Sequence, residues 1–245
     1  MVAIPSRHVV VETPGAFAHR AAAWLAETVA DVLAAPRGGE GAGRCALALS
    51  GGTTPRPVYA ALAAPELASR VDWNGVDVYF GDERAVPRDH ADSNFRMAME
   101  ALLSRVPIPT ARIHRMEAER QDLDAAAAAY GDLLPAALDV LVLGMGADGH
   151  TASLFPGSPA LAERERRVVV VDGPNPPRRR MTITPPVIAA ARHVVVLVTG
   201  KEKAAAVARA VDEATPASEI PAALARHGVW FLDRAAAARL ARPVP

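Results

Sequence analysis

A chain of 245 residues, 51% hydrophobic and 22% charged, has the composition of a globular protein and enough length to bury a sizeable core. Its 27 basic and 27 acidic side chains cancel, so no global field draws it to nucleic acid or an anionic membrane, and any anion must be held by a local cluster. Cys45 is the single cysteine, which excludes an internal disulfide and a thiol-rich metal site and leaves it a small buried apolar residue.

In chain order, apolar β-branched runs predict strands at His8–Glu12, Cys45–Ser50, Val76–Gly81, Asp139–Gly144, Arg167–Val171, His193–Thr199 and Gly228–Leu232. Ala/Leu-rich stretches predict helices at Phe17–Ala35, Pro55–Leu62, Asn94–Arg105, Asp122–Leu133, Lys201–Val211 and Pro221–His227. The first run starts without a signal-peptide core, and no apolar stretch approaches the ~18 residues that cross a bilayer; a cytoplasmic protein with no membrane partner is expected. Several strands are apolar throughout rather than alternating, as when helices cover both faces. The fold expected is α/β: an open, mostly parallel, Rossmann-like sheet with helices on both faces, in a single domain over 1–245. Pro36–Arg44 and Asp172–Pro177 read as surface loops, Ala125–Ala129 as helix, and Ala241–Pro245 as a frayed end.

Ligands of such sheets bind at the carboxyl ends of the strands, and four junctions there stand out. Ser50-Gly51-Gly52-Thr53-Thr54-Pro55 offers glycines for close backbone approach, with Thr54 as N-cap and Pro55 at the first helical position; free N–H groups and hydroxyls then converge as a phosphate requires. It is no P-loop, lacking the Gly-Lys-Ser/Thr ending. Gly81-Asp82-Glu83-Arg84 places three charges at a strand end, followed by Asp89–Asn94, where Ser93 or Asn94 caps a helix. Gly144-Met145-Gly146-Ala147-Asp148-Gly149-His150-Thr151 exposes backbone amides and puts a histidine where a ligand would sit. Arg178-Arg179-Arg180 and Lys201-Glu202-Lys203 are basic sites that, brought to the same rim, complete a dianion site. Gly144–Gly149 also fits G-x-G-x-x-G, but Pro156, Gly157 and Pro159 leave no long helix to face a pyrophosphate, so no nicotinamide cofactor is expected.

These junctions, in this order, resemble the 6-phosphogluconolactonase family over nearly the whole chain. The residues that carry it are SGGTTP (Ser50–Pro55), FGDERAVPRDHADSNFRMAMEALL (Phe80–Leu103), LGMGADGHTASLFPG (Leu143–Gly157), RMTITPPVI (Arg180–Ile188) and VTGKEKAAAV (Val198–Val207). The resemblance implies hydrolysis of 6-phospho-D-glucono-1,5-lactone to 6-phosphogluconate, the second step of the oxidative pentose phosphate pathway, with no cofactor and no metal. It implies His150 as general base. Ser50, Gly51, Gly52 and Thr53 would wrap the phosphate, with Lys203 and Arg180 as its cationic partners. Asp82 and Arg84 would face the sugar and the reacting end. Among the three arginines, Arg180 fits the family spacing best. A monomer or weak homodimer binding a small-molecule substrate, with no nucleic-acid partner, is the matching expectation.

The residues themselves suit that chemistry. A δ-lactone is an activated ester that water can attack at C1 once a base takes its proton, and an imidazole suits the task at neutral pH. Asp148 or Asp82 would orient the ring, and backbone N–H groups of Gly144–Gly149 or Arg84 would meet the charge on the carbonyl oxygen. Glucosamine-6-phosphate deaminases look similar but carry a Glu five residues beyond the histidine, where this chain has Phe155. Sugar-phosphate regulators of this type bring a helix-turn-helix domain, for which no residues are left over.

Overall fold

The computed structural model describes residues 8–11, 13–36 and 43–240. Glu12, most of the Pro36–Arg44 loop and Ala241–Pro245 lie outside the described residues. In chain order the elements are β1 (His8–Val11), α1 (Pro14–Ala34), β2 (Cys45–Leu49), α2 (Pro55–Leu62), α3 (Pro65–Ala68), β3 (Val76–Phe80), β4 (Asp82–Arg84), α4 (Asn94–Ala98), α5 (Leu123–Leu133), β5 (Val140–Gly144), β6 (Val168–Asp172), β7 (Arg179–Ile183), α6 (Pro185–Ala190), β8 (His193–Val198), α7 (Ala204–Val211) and β9 (Val229–Asp233).

Six strands form one sheet in the order β1-β9-β8-β5-β2-β3, and each neighbouring pair is parallel. The apolar runs explain it: β3 is buried at every position and β5 and β8 at nearly every one, which requires cover on both faces. Leu47, Leu49, Val78, Phe80, Leu141, Leu143, Val196 and Trp230 join one continuous core. Cys45, fully buried, lies at the start of β2. The register pairs Leu49 with Phe80 and Gly144 with Leu197, so the turns after β2, β3, β5 and β8 emerge side by side on one rim.

Arg167–Val171 does not join this sheet. Its counterpart β6 pairs antiparallel with β7, and β7 with β4, in a separate three-stranded sheet. Gly81 is the joint: its N–H continues the main sheet by donating to the Leu49 carbonyl (2.9 Å), while its own carbonyl accepts from Ile183 of β7 (2.9 Å). The small sheet stands beside the rim and carries two of the predicted charged junctions.

Helix ends differ from the sequence reading in ways that have local causes. The first helix starts at Pro14 because Thr13 caps it, its hydroxyl accepting from the Ala16 N–H at 3.2 Å. Asn94–Arg105 begins as α-helix and widens into a π turn over Met99–Leu103. Lys201–Lys203 is a 3₁₀ turn ahead of α7, and Pro221–Ala225 is 3₁₀ rather than α. No helix follows Gly149, which takes φ +84°; Thr151 bridges Leu154 instead, as the proline and glycine spacing requires.

Candidate active site

The turn after β2 is shaped by Tyr59 of α2. Its buried hydroxyl accepts from the Ser50 N–H and donates to the Ser50 carbonyl, both at 3.0 Å, and burial pushes its pKa well above the ordinary tyrosine value, keeping it a donor. Ser50 therefore spends its backbone on Tyr59 and leaves its buried Oγ without a protein partner. Gly52 takes φ +109°, a conformation glycine adopts without steric cost. A Cβ on Gly51 would sit 1.7 Å from Asn94 Oδ1, so glycine is needed there for the loop to lie against α4. Thr54 does not cap α2 by its side chain; its hydroxyl meets that of Thr199 at 2.9 Å.

Along β4 the alternation of a strand sorts the three charges. Asp82 and Arg84 line the cleft, while Glu83 turns away into the protein. The buried Glu83 carboxylate gathers the N–H groups of Arg84, Asn94 and Phe95, each at 2.8 Å, and the Ser93 hydroxyl at 3.1 Å. Burial raises its pKa, with the Asp82 charge adding to the effect, against those backbone donors. Ser93 is the N-cap of α4, its Oγ accepting from Arg96 N–H at 3.1 Å. That leaves the Asn94 amide to donate to the Asp82 carbonyl (2.9 Å) and Oδ1 (3.1 Å). Asp82 Oδ2 accepts from the Ser153 hydroxyl at 2.6 Å. Arg84 donates to the Asp92 carbonyl at 2.6 Å, and its buried Nε has no protein partner.

The turn after β5 delivers the histidine. Gly146 donates to the His150 carbonyl, and Gly149 to the Gly146 carbonyl, both at 3.0 Å. Inside this small ring Asp148 Oδ1 lies 2.6 Å from His150 Nδ1 and accepts from the His150 N–H at 3.1 Å. Burial works to raise the Asp148 pKa, but the hydrogen bond and charge of His150, with backbone donors, bring it below the ordinary carboxylate value. An ionised acceptor at Nδ1 assigns the proton to that nitrogen and leaves Nε2 as the basic atom. The carboxylate that orients His150 is thus Asp148; Asp82 is engaged by Asn94 and Ser153. Ala152, two residues on, takes the uncommon φ +46° and lines the cleft.

Strand β7 brings Arg180 opposite Arg84 and buries it, while Arg178 and Arg179 are exposed. Arg180 Nε donates to the Pro177 carbonyl at 3.1 Å, and its guanidinium lies 5.5 Å above the Phe155 ring. The same ring stands 4.8 Å from the imidazole of His150. Burial and the nearby Arg84 charge lower the pKa of Arg180, while Asp82 and Asp92 act in the opposite sense. Lys203, at the start of α7, is likewise lowered by burial, with Glu202 and Asp233 opposing; Asp233 also holds the turn by accepting from the Gly200 N–H at 3.1 Å.

These groups share one cleft of about 150 Å³, lined by Ser50, Gly51, Gly52, Thr53, Asp82, Arg84, His150, Arg180 and Lys203 together with Thr54, Asn94, Gly144–Gly146, Ala152 and Leu197. Asp148 is not part of its lining and holds His150 from behind. Among the expected residues the geometry thus unites the Ser50–Thr53 turn, three cations and an oriented imidazole. The sequence motifs do not mark Asn94, Ser153 or Glu83 as site residues. Only the alternation of β4, imposed by its pairing with β7, sets Glu83 apart; Ser153 acts on Asp82 across 71 positions and leaves no local trace. Among the described residues no cluster of three or more His, Cys, Asp or Glu is placed to hold a metal ion.

Known proteins match this chain over most of its length. The family model for glucosamine-6-phosphate isomerases/6-phosphogluconolactonase matches residues 12–232. The chain is 43% identical over 215 residues to a 6-phosphogluconolactonase of Mycobacterium tuberculosis, covering 81% of this chain and 86% of the relative. It is 39% identical over 219 residues to one of Streptomyces coelicolor, covering 82% and 84%. The solved 6-phosphogluconolactonase of Trypanosoma brucei superposes with a TM-score of 0.83 at 29% identity, over 98% of this chain and 100% of that one. A monomeric glucosamine-6-phosphate deaminase shares the fold, with a TM-score of 0.80 at 21% identity, over 95% and 99%. The chain belongs to the glucosamine-6-phosphate isomerase/6-phosphogluconolactonase family.

Proposed function

We propose that this protein hydrolyses 6-phospho-D-glucono-1,5-lactone to 6-phospho-D-gluconate, the second step of the oxidative pentose phosphate pathway, by general-base activation of water. The observation that carries the reading is the 2.6 Å Asp148–His150 pair opening onto the same cleft as the Ser50–Thr53 turn, Arg180 and Lys203.

In this mechanism Ser50 Oγ, the amides of Gly51, Gly52 and Thr53, and the cations Lys203 and Arg180 hold the phosphate. Their binding energy sets C1 of the lactone beside His150. His150 Nε2 takes a proton from water as its oxygen bonds to C1. Asp148 balances the imidazolium that forms. The charge gathering on the carbonyl oxygen is met by Arg84 and by backbone N–H groups of the Gly144–Gly149 turn. Collapse of the tetrahedral species breaks the bond from C1 to the ring oxygen, which takes the proton back from imidazolium. Asp82, held by Asn94 and Ser153, faces the sugar hydroxyls. Phe155, in place of the deaminase glutamate, packs on His150 and offers no proton, which supports the lactonase over the deaminase.

The same reading makes the protein a cytoplasmic enzyme, a monomer or weak homodimer, working without cofactor or nucleic-acid partner. No described helix is long and apolar enough to cross a membrane. The test is a coupled assay on fresh phosphorylated lactone, scored against spontaneous hydrolysis. Wild type is expected to exceed that background and His150→Ala to lose about 10²–10⁴-fold of its turnover. Equal rates for the two proteins would overturn the base assignment, and no rate above background would overturn the activity.

A further inference from the structure

The cradle assigned to the phosphate is assembled from two turns whose strands are not neighbours. The Ser50–Pro55 turn follows β2, the turn leading to Lys203 follows β8, and β5 runs between them. At about 4.8 Å per strand, the two turns start about 10 Å apart. Each is anchored on its own side: the first by the Tyr59 hydroxyl on Ser50, the second by the Asp233 carboxylate on the Gly200 N–H. Across the end of β5 the hydroxyls of Thr54 and Thr199 meet at 2.9 Å. Thr54 is buried, and its hydroxyl serves this contact in place of the helix cap its position invites. Thr54 also lines the cleft, whereas Thr199 is outside its lining.

We propose that the Thr54–Thr199 hydrogen bond is a latch that fixes the spacing between the Ser50–Pro55 turn and Lys203, and thereby the affinity for the phosphate end of the substrate. A dianion gripped from two sides gains both sets of charge-assisted bonds only when the donors stand at bonding distance together. With the latch gone, the turns keep their separate anchors but lose their mutual register. The loss falls equally on bound substrate and transition state, because the phosphate does not react, so it raises KM and spares kcat. Thr54 and Thr199 are positioning residues in this sense; the bond made and broken at C1 does not involve them.

The inference rests on the lactonase reading, and a double-mutant cycle tests it. Thr199→Val is the leading variant because it removes a hydroxyl of nearly the same shape from outside the cleft. It is expected to raise KM for the phosphorylated lactone about three- to tenfold, with kcat near wild type. The kcat/KM for the non-phosphorylated lactone should not move. Thr54→Val should behave the same way, the Thr54→Val/Thr199→Val pair should be no worse than the poorer single variant, and Thr199→Ser should restore wild-type values. A wild-type KM in Thr199→Val, additive losses in the double variant, or equal losses on both lactones would overturn the latch. An effect of Thr54→Val alone would also overturn it, since that marks direct contact with substrate. Melting curves accompany each variant; should Thr199→Val not fold, Thr199→Ala takes its place under the same criteria. Should wild type show no turnover, the function fails separately, and the cycle is read by calorimetric binding of 6-phosphogluconate, where absence of binding by wild type removes the latch as well.

Discussion

Asp148 and His150, two positions apart, meet at 2.6 Å inside a turn where Gly146 leaves no room for a Cβ. The carboxylate holds the ring by its Nδ1 and faces the charge the imidazole takes up as a base. Replacing Asp148 by Asn should therefore lower kcat with little change in KM. A hydrogen bond between charged partners is worth about 1.5–3 kcal/mol, and solvent exposure of this pair places the loss near the low end, about tenfold in kcat. Steady-state kinetics of both proteins decides; an unchanged kcat would separate Asp148 from the base.

The same pair has a stability signature. The Asp148 pKa is depressed on folding, so the folded state binds this proton less readily than the unfolded chain. The stabilisation is fully present above the unfolded carboxylate value of about 3.9 and is lost as pH falls through the lower folded value. Urea midpoints of wild type and Asp148→Asn should therefore differ at neutral pH and converge on acidification below about pH 4. A constant gap would contradict the linkage.

Gly146 is the position where a single methyl would strike the Asp148–His150 pair directly. Its Cβ would lie 2.2 Å from His150 Nδ1 and 2.6 Å from Asp148 Oδ1. Gly146→Ala should lose at least as much kcat as Asp148→Asn while its melting temperature stays within a few degrees, because the turn is at the surface of the core. Steady-state kinetics with a thermal melt separates this from general unfolding.

Arg179 and Arg180 should part company under mutation. Arg180→Ala is expected to raise KM for the phosphorylated lactone about tenfold to a hundredfold, as for loss of a charge-assisted bond, while the exposed Arg179→Ala stays near wild type. Arg180→Lys should recover only part of the loss, since a lysine cannot keep the planar contacts with Pro177 and Phe155. Equal behaviour of the two alanine variants would remove Arg180 from the site.

Glu83 is predicted to matter without touching substrate. Its carboxylate holds three backbone N–H groups and the Ser93 hydroxyl, and an amide can accept at only one of its two ends. Glu83→Gln should cost about 1–3 kcal/mol of stability and loosen Arg84 and Asn94 with it. Denaturant unfolding measures the first effect, and a fall in kcat measures the second.

Much of this was legible in the chain because the signals are local. Wholly apolar strands such as Val76–Phe80 and His193–Val198 announce burial on both faces, and the parallel sheet follows. The histidine turn declares itself through glycine spacing. What was not legible depends on partners far away in sequence. Asp82-Glu83-Arg84 has poor strand propensity and becomes β4 only because β7 offers a ladder. Thr54 satisfies every local rule for a cap, yet its hydroxyl pairs 145 positions away. Asp82 and Asp148 are equal claimants on His150 in the sequence; in the fold Ser153 and Asn94 occupy the former. The triplet Arg178–Arg180 carries no pattern of its own, and Arg180 stands out in the sequence only by the family spacing; the alternation of β7 buries Arg180 and exposes Arg179.

Cys45, sealed at the amino end of β2, opens a practical route to labelling the protein. The only sulfhydryl of the chain is out of reach of solvent and a strand's length from the cleft. A cysteine introduced on an exposed helix would therefore be the single position that maleimide dyes attack. Fluorescence or spin labels could be attached there singly, in otherwise unaltered protein, and report on the rim while turnover proceeds.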